Sequence, residues 1–296
     1  MIYLKKFRLP SPLQEELFLN DIRRTCYTGA YPFGIFMERE VPGFTFEPIT
    51  IFCGGNGSGK STILNVIAAA LQIGHEAPFN RSAMFDDYVK LCDYEVSHHF
   101  AGECREKSRI IASDNVFDYL LNVRCLNDGI DNQREKLFEE YLDAKYSKFQ
   151  FRGMGDYEDL RKVVQARRST QSQYVRNRLM SNVRERSNGE SALSCFVNTI
   201  EENALYLLDE PENSLSPEKQ LELLSFLCDS ARFYHCQIVL STHSPFLLSA
   251  PGAKIYDLDS NPPRVRRFAE LENVRVYYDF FKKHEDAFEA ARDGPG

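Results

Sequence analysis

The run Gly54-Gly55-Asn56-Gly57-Ser58-Gly59-Lys60-Ser61 fits the pattern G-x-x-x-x-G-K-[ST]. Its glycines allow the backbone to turn so that several N–H groups point inward, toward the phosphates of a nucleoside triphosphate. Lys60 is spaced to reach the β- and γ-phosphates, and the Ser61 hydroxyl to ligate Mg²⁺. Thr62 carries the loop into the next segment. A glycine-rich turn with no ligand is the plain alternative. Against it stand the apolar run Ile49–Cys53 before the loop and the helically spaced STILNVIAAALQI after it. They supply the strand, and the helix with a partial positive charge at its start, that phosphate binding needs.

Three further motifs follow in order. The run Ala204-Leu205-Tyr206-Leu207-Leu208-Asp209-Glu210-Pro211 is an apolar strand ending in two acids. Asp209 suits a Mg²⁺ shell, directly or through water, and Glu210 suits polarisation of an attacking water. Ser241-Thr242-His243-Ser244-Pro245 follows the apolar QIVL, placing His243 to contact a γ-phosphate and the water-activating glutamate. Ser187-Asn188-Gly189-Glu190-Ser191 stands just before a helical run. Taken singly it is a helix cap; after a phosphate loop it is a second anion site, with Ser187, Gly189 and Glu190 its candidate residues.

These residues need a framework. The first 50 residues alternate apolar runs with turn residues, IYLKKF, FGIFMERE and FTFEPITIFC, which predicts β-strands and loops. Arg109–Ala112 predicts another strand. From Asp114 to about Arg186 the pattern is amphipathic helix, in VFDYLLNVR, REKLFEEYLDAKY and EDLRKVVQARRSTQSQYVRNRLMSNVRER. After this, helices SALSCFVNTIEE and PEKQLELLSFLCDSARF alternate with strands ALYLLDE, QIVLSTH and a run near KIYDLD. Such alternation predicts a mostly parallel sheet covered on both faces.

The set GGNGSGKST, SNGES, LLDEPENSLSP and STHSP resembles the stand-alone ABC-class P-loop ATPases related to the heads of RecF, SMC and OLD proteins, from about residue 48 to 260. The C-terminal YYDFFKKHEDAF is similar to the tail of small ATPases in that group. The resemblance implies an α/β ABC-type fold with a mostly parallel sheet, an N-terminal antiparallel β part and a helical lobe inserted at residues 114–186 of a single domain spanning 1–296. It implies ATP and Mg²⁺ as ligands. It assigns Gly54–Thr62 to the nucleotide, Ser61 and Asp209 to the metal, and Lys60, Glu210 and His243 to catalysis. It also makes Ser187–Ser191 a signature loop that meets the nucleotide of a partner copy, hence an ATP-dependent homodimer with DNA repair or defence against mobile DNA as its expected work. A nucleotide-gated module recruiting a separate effector protein is the alternative. A transporter ATP-binding subunit fits less well, because Ser113 and Asp114 stand where such subunits carry a Q-loop glutamine. Asn213-Ser214-Leu215-Ser216 also lacks their usual aspartate after the second motif.

Composition bounds these readings. At 43% hydrophobic and 27% charged, the 296 residues allow a well-buried core. A net charge of −7 excludes a wholesale nucleic-acid coat, so any DNA contact is local. Between Arg161 and Arg186 lie Arg161, Lys162, Arg167, Arg168, Arg176, Arg178, Arg184 and Arg186 against one acid, Glu185. That stretch suits a DNA backbone, an acidic partner, the nucleotide itself or a solvated helix face. The eight cysteines show no C-x-x-C pair or zinc spacing and read as reduced core residues. Asp257 and Asp259 have metal-like spacing but read as a solvated strand end. With no run approaching 18 apolar residues, a cytoplasmic protein without membrane insertion is expected.

Overall fold

A computed structural model describes residues 1–22, 29–39, 41, 43–75, 79–148, 153–179 and 188–292. In chain order its elements are β1 (Leu4–Arg8), α1 (Pro12–Asp21), β2 (Phe44–Thr45), β3 (Ile49–Cys53), α2 (Lys60–Leu71), β4 (Gly74–His75), α3 (Phe85–Leu91), β5 (Asp93–Val96), α4 (Glu103–Lys107), β6 (Arg109–Ala112) and α5 (Ser113–Tyr146). There follow α6 (Tyr157–Arg168), α7 (Gln171–Arg176), α8 (Asn188–Thr199), β7 (Leu205–Asp209), α9 (Pro217–Phe233), β8 (Gln237–Thr242), α10 (Pro245–Leu248), β9 (Lys254–Asp257), β10 (Arg264–Arg266), α11 (Glu272–Lys283) and α12 (Glu285–Arg292). The chain divides into two compact units, Met1–Phe117 with Asn188–Gly296, and Asp118–Ser187.

The first unit is built on a seven-stranded sheet of order β10-β9-β3-β8-β7-β6-β4. Every pairing is parallel except that of β10 with β9. Strands β3 and β8 are buried at every position, as central parallel strands sandwiched between helices must be. A smaller antiparallel sheet, β2-β1-β5, carries the N-terminus. One side chain ties the two sheets: Gln237, fully buried at the start of β8. Its Oε1 accepts from the Tyr3 and Leu4 N–H groups, both at 2.8 Å, and its Nε2 donates to the Leu4 carbonyl at 2.9 Å. An amide buried at this depth is tolerated because both its ends are satisfied. Phe44, Phe52 and Tyr256 close the seam with ring centroids 5.0–5.7 Å apart. The expected α/β fold, mostly parallel with an N-terminal antiparallel part, is thus present.

Two local expectations are corrected. From Phe33 to Arg39 the run FGIFMERE is a series of turns, not a strand. Gly34 stands at φ +86°, and bonds such as Phe33 N–H to Ala30 O (2.8 Å) and Arg39 N–H to Phe36 O (3.0 Å) replace a ladder. Its aromatic residues serve the core instead: Phe33 stacks on Phe18 at 4.9 Å and meets the edge of Tyr88 at 4.9 Å. Helix α1 was legible but not read. Ser11 and Gln14 form a capping box, with Pro12 in the first turn.

Helix α5, which supplies residues 118–146 of the second unit, runs unbroken for 34 residues through the CLNDGIDNQ stretch that separates the two helical runs read from the sequence. Gly129 inside it costs about 1 kcal/mol relative to alanine, and the helix holds no proline to break it. Helices α6 and α7 are separate, because Thr170 caps the second with a capping box. Tyr141, Ala166 and Tyr174 form a small core. Over it, Glu140 accepts from Tyr174 Oη at 2.9 Å and from Arg178 Nη1 at 2.9 Å. Burial pushes the Glu140 carboxyl up, but these donors and the charges of Lys162 and Arg178 prevail and hold it below the ordinary glutamate value.

Candidate active site

The register aligns Cys53 of β3 with Thr242 of β8 and Asp257 of β9, and Asp209 of β7 with Ser241 of β8. The loops leaving these strands therefore open side by side at the carboxyl ends of a parallel sheet, where α/β proteins place their ligands.

The loop after β3 has the shape that the glycine pattern requires. Gly57 and Gly59 stand at φ +80° and +96°, and a Cβ on Gly59 would lie 2.6 Å from the Phe36 ring. Lys60 opens α2 and is only 4% exposed. Its ammonium donates to the carbonyls of Gly54 (2.8 Å) and Gly55 (3.1 Å) and lies 3.4 Å from Glu210 Oε1. A buried cation held by two carbonyls and one carboxylate is stable without further help and remains ready for a more anionic partner.

Asp209 ends β7. Its Oδ1 accepts from the Ser61 hydroxyl at 3.0 Å and from the Ser241 hydroxyl. Burial pushes its carboxyl above the usual aspartate value, with the Glu210 charge adding to the rise and both hydroxyls and Lys60 opposing it. A hydroxyl and a carboxylate this close are hard oxygen donors of the kind Mg²⁺ takes alongside phosphate oxygens and water. A bound divalent cation would favour the ionised form that burial disfavours.

Glu210 has left-handed backbone (φ 48°, ψ 54°), costing of order 1–3 kcal/mol for a non-glycine residue. Its N–H donates to Ser241 O at 3.1 Å, which pins the strained residue beside β8. The carboxylate meets three side chains: Lys60, His243 Nε2 at 3.1 Å, and Asn213 Nδ2, which donates at 3.2 Å. His243 Nδ1 lies 3.3 Å from Gly54 O, so both ring nitrogens face acceptors and the neutral ring can donate to only one.

Lys60, Ser61, Asp209, Glu210 and His243 thus meet at one place. Gly189 and Glu190 lie in the first turn of α8. There Glu190 adds its charge to the surroundings of Lys219, in the first turn of α9. Ser187 lies outside the described residues. Asp114 is exposed in the first turn of α5, where Asn115, not Asp114, accepts from the Ala112 N–H at 2.8 Å.

Four neighbours escaped the sequence reading. Glu212 is 8% exposed, and its Oε1 accepts from Thr242 Oγ1 (2.6 Å), His243 N–H (2.8 Å) and Ser244 N–H (3.3 Å), joining the loops after β7 and β8. The second acid of DEPE was its signal. Asp259, exposed just past the end of β9 as expected, also holds the phosphate-loop motif: both its oxygens accept from the Gly55 N–H, at 2.9 and 2.8 Å. Arg39 Nη1 donates to Ser58 O (3.0 Å) and Leu258 O (3.1 Å), bracing the same loop. Asn273 donates to His243 O at 2.9 Å. The contacts of these last three residues span 19 to 219 residues and left no local pattern to read.

A glycine loop feeding a helix start, a strand-end carboxylate beside its hydroxyl, and a parallel sheet with an antiparallel annex define a P-loop ATPase of the ABC class. Residues 95–249, more than half of the 296, match the family described as "AAA domain, putative AbiEii toxin, Type IV TA system", and the chain belongs to that family. A search of curated proteins finds no match. Among solved structures, the ATP-binding cassette MJ0796, in a dimeric post-hydrolysis state bound to ADP and Pi, is similar at 14% identity and a TM-score of 0.39. That match covers 90% of this chain and 99% of the other. The Smc head domain from Pyrococcus furiosus, bound to the C-terminal domain of ScpA, is similar at 11% identity and a TM-score of 0.40, covering 95% of this chain and 100% of that one. Among the described residues, no helix is long and apolar enough to cross a membrane.

Proposed function

We propose that the chain binds ATP with Mg²⁺, hydrolyses it, and uses the bound ATP to join two copies head to tail. The observation that carries this is the meeting of Lys60, Ser61, Asp209, Glu210 and His243 within one hydrogen-bonded group. Lys60 and the loop N–H groups bind the phosphates and neutralise their charge. Ser61 and Asp209 would hold Mg²⁺, which when bound would supply charge neutralisation at the phosphate oxygens. Glu210 orients and polarises the attacking water, and His243 bridges this glutamate to the γ-phosphate. The purified chain should release phosphate from ATP with Mg²⁺ present and lose that activity when EDTA removes the metal. Turnover that ignores EDTA would contradict these roles.

The work coupled to hydrolysis is read as defence against mobile DNA within the cytoplasm. A family description naming a toxin of a toxin–antitoxin system favours defence over repair. The basic stretch is the candidate DNA contact; Arg184 and Arg186 lie outside the described residues, and among the described ones three cations have partners. Lys162 and Arg178 lie 4.0 and 2.9 Å from Glu140, and Arg167 Nη2 donates to Ser147 O at 2.9 Å. Arg161, Arg168 and Arg176 are the exposed arginines of the stretch for which no such contact is described, and so are the ones to reverse. Duplex DNA should bind the parent with an affinity that falls as salt rises, by about 0.9 in log–log slope for each phosphate neutralised. Changing the three arginines to glutamate should remove binding and leave the melting temperature in place. A parent that binds no DNA at low salt retires the DNA reading, and copurification of a soluble protein instead would support a recruited effector.

A further inference from the structure

His243 has four polar groups, and each is held. Its backbone N–H donates to Glu212, its ring nitrogens face Gly54 O and Glu210, and its carbonyl accepts from Asn273 Nδ2 at 2.9 Å. The first three contacts belong to loops already in the site. The fourth comes from helix α11, of which Asn273 is the second residue.

The start of this helix is fixed by packing. Leu271 and Val274, on either side of Asn273, are 1% and 8% exposed, while Val276, Tyr277, Tyr278, Phe280 and Phe281 further along are exposed. The Asn273 amide is therefore carried on a rooted turn. Its other end is informative: Asn273 Oδ1 is buried with no hydrogen-bond partner among the described residues. A buried unpaired carbonyl costs about 1–3 kcal/mol. For packing alone, an apolar side chain of similar volume would serve as well. An amide here gives the fold little, whereas its N–H gives His243 a fixed carbonyl.

We propose that Asn273 is a positioning residue for ATP hydrolysis, holding the His243 peptide so that the imidazole keeps its place between Gly54 and Glu210, and that α11 is thereby part of the active site. Half an ångström of freedom at His243 would loosen the contact to the water-orienting glutamate, and misplacement on that scale slows turnover without weakening the grip of the phosphate loop. The inference rests on the ATPase reading for its kinetic consequence but not for its geometric one.

The test uses the full chain with Asn273→Leu. This variant keeps the volume, removes the unpaired buried Asn273 Oδ1 and takes the amide donor away from His243 O. The melting temperature should stay within a few degrees of the parent. The kcat for ATP should fall about tenfold with ATP affinity, measured by fluorescent nucleotide titration, within about twofold. With imidazoles ¹³C-labelled, the His243 resonance, assigned by its loss in His243→Asn, should shift in Asn273→Leu. The resonances of the other five of the six histidines should hold still. A kcat within twofold of an active parent overturns the proposal, as does an unmoved His243 resonance or a loss of ATP affinity equal to that in kcat. If the parent shows no turnover, the ATPase reading has failed, and the resonance alone decides whether Asn273 holds His243.

Discussion

Lys60→Ala is expected to lower ATP turnover by on the order of 10²–10³-fold and to weaken ATP binding sharply. The lysine is 4% exposed and rigidly seated: two loop carbonyls and Glu210 fix its ammonium before any phosphate arrives. A cation already desolvated and aimed costs no reorganisation when charge develops on the γ-phosphate. The loop amides and the α2 dipole remain in the variant, but together they supply only partial charges. Removing the ammonium also leaves Glu210 facing the nucleotide without its cation, so repulsion adds to the loss. Phosphate release and fluorescent nucleotide titration measure the two effects, with circular dichroism to show that the fold survives. Release near the parental rate would remove Lys60, and with it the phosphate-loop reading, from the mechanism.

Glu210→Gln should act differently. The glutamine keeps the size of the side chain and can still meet Asn213 and His243, so Mg²⁺ and ATP should bind as before. What it loses is the charge that polarises water, a contribution on the order of 10²–10⁴-fold. ATP then persists, and so should any state that ATP stabilises. The phosphate loop leads into α2, and Gly189 and Glu190 of the signature-like motif lie in the first turn of α8. On the proposed head-to-tail arrangement the two loops of one chain would serve different nucleotides, and a two-fold partner would satisfy both in an isologous interface. Light scattering after size exclusion should therefore show Glu210→Gln as a monomer alone, a dimer with Mg-ATP and a monomer with ADP. Adding Ser187→Arg should prevent the dimer without preventing ATP binding. By linkage, conditions that favour the dimer must also tighten ATP. A monomer throughout would count against head-to-tail closure, and a dimer without nucleotide would mean assembly through another surface.

Much of the site could be read because each motif is local. A phosphate loop must carry its glycines, lysine and serine within a few residues, and a strand buried on both faces must be apolar until its last position, so Asp209 and Glu210 stand out against LYLL. The geometry then shows three of the four motifs meeting, at Lys60, Ser61, Asp209, Glu210 and His243, which no motif states. Less legible were residues whose reason lies far along the chain. Asp259 looks like any acid after a strand until Gly55 is seen beside it, and Asn273 like any polar residue in a helix start until His243 is. The N-terminal region misled for a different cause. Phe33, Ile35 and Met37 are apolar at the spacing of an alternating strand, but Gly34 turns the chain and the Phe33 and Phe36 rings enter one core. The long α5 shows the converse, since Gly129 weakens a helix without ending it.

The order of the central sheet also bears on how the protein is made. Strand β3, which delivers the phosphate loop, has β8 on one edge and β9 on the other, with Ile49 beside Ile238 and Thr50 beside Lys254. Both neighbours leave the ribosome long after β3, about ten to forty seconds later at roughly 5–20 residues per second. Through that interval an apolar five-residue strand has two open edges, the arrangement most given to pairing with another chain. Nascent chains shorter than residue 237 hold the entire glycine loop yet lack the strands that give it a shape. The nucleotide loop is thus synthesised well before the strands that flank it and give it form.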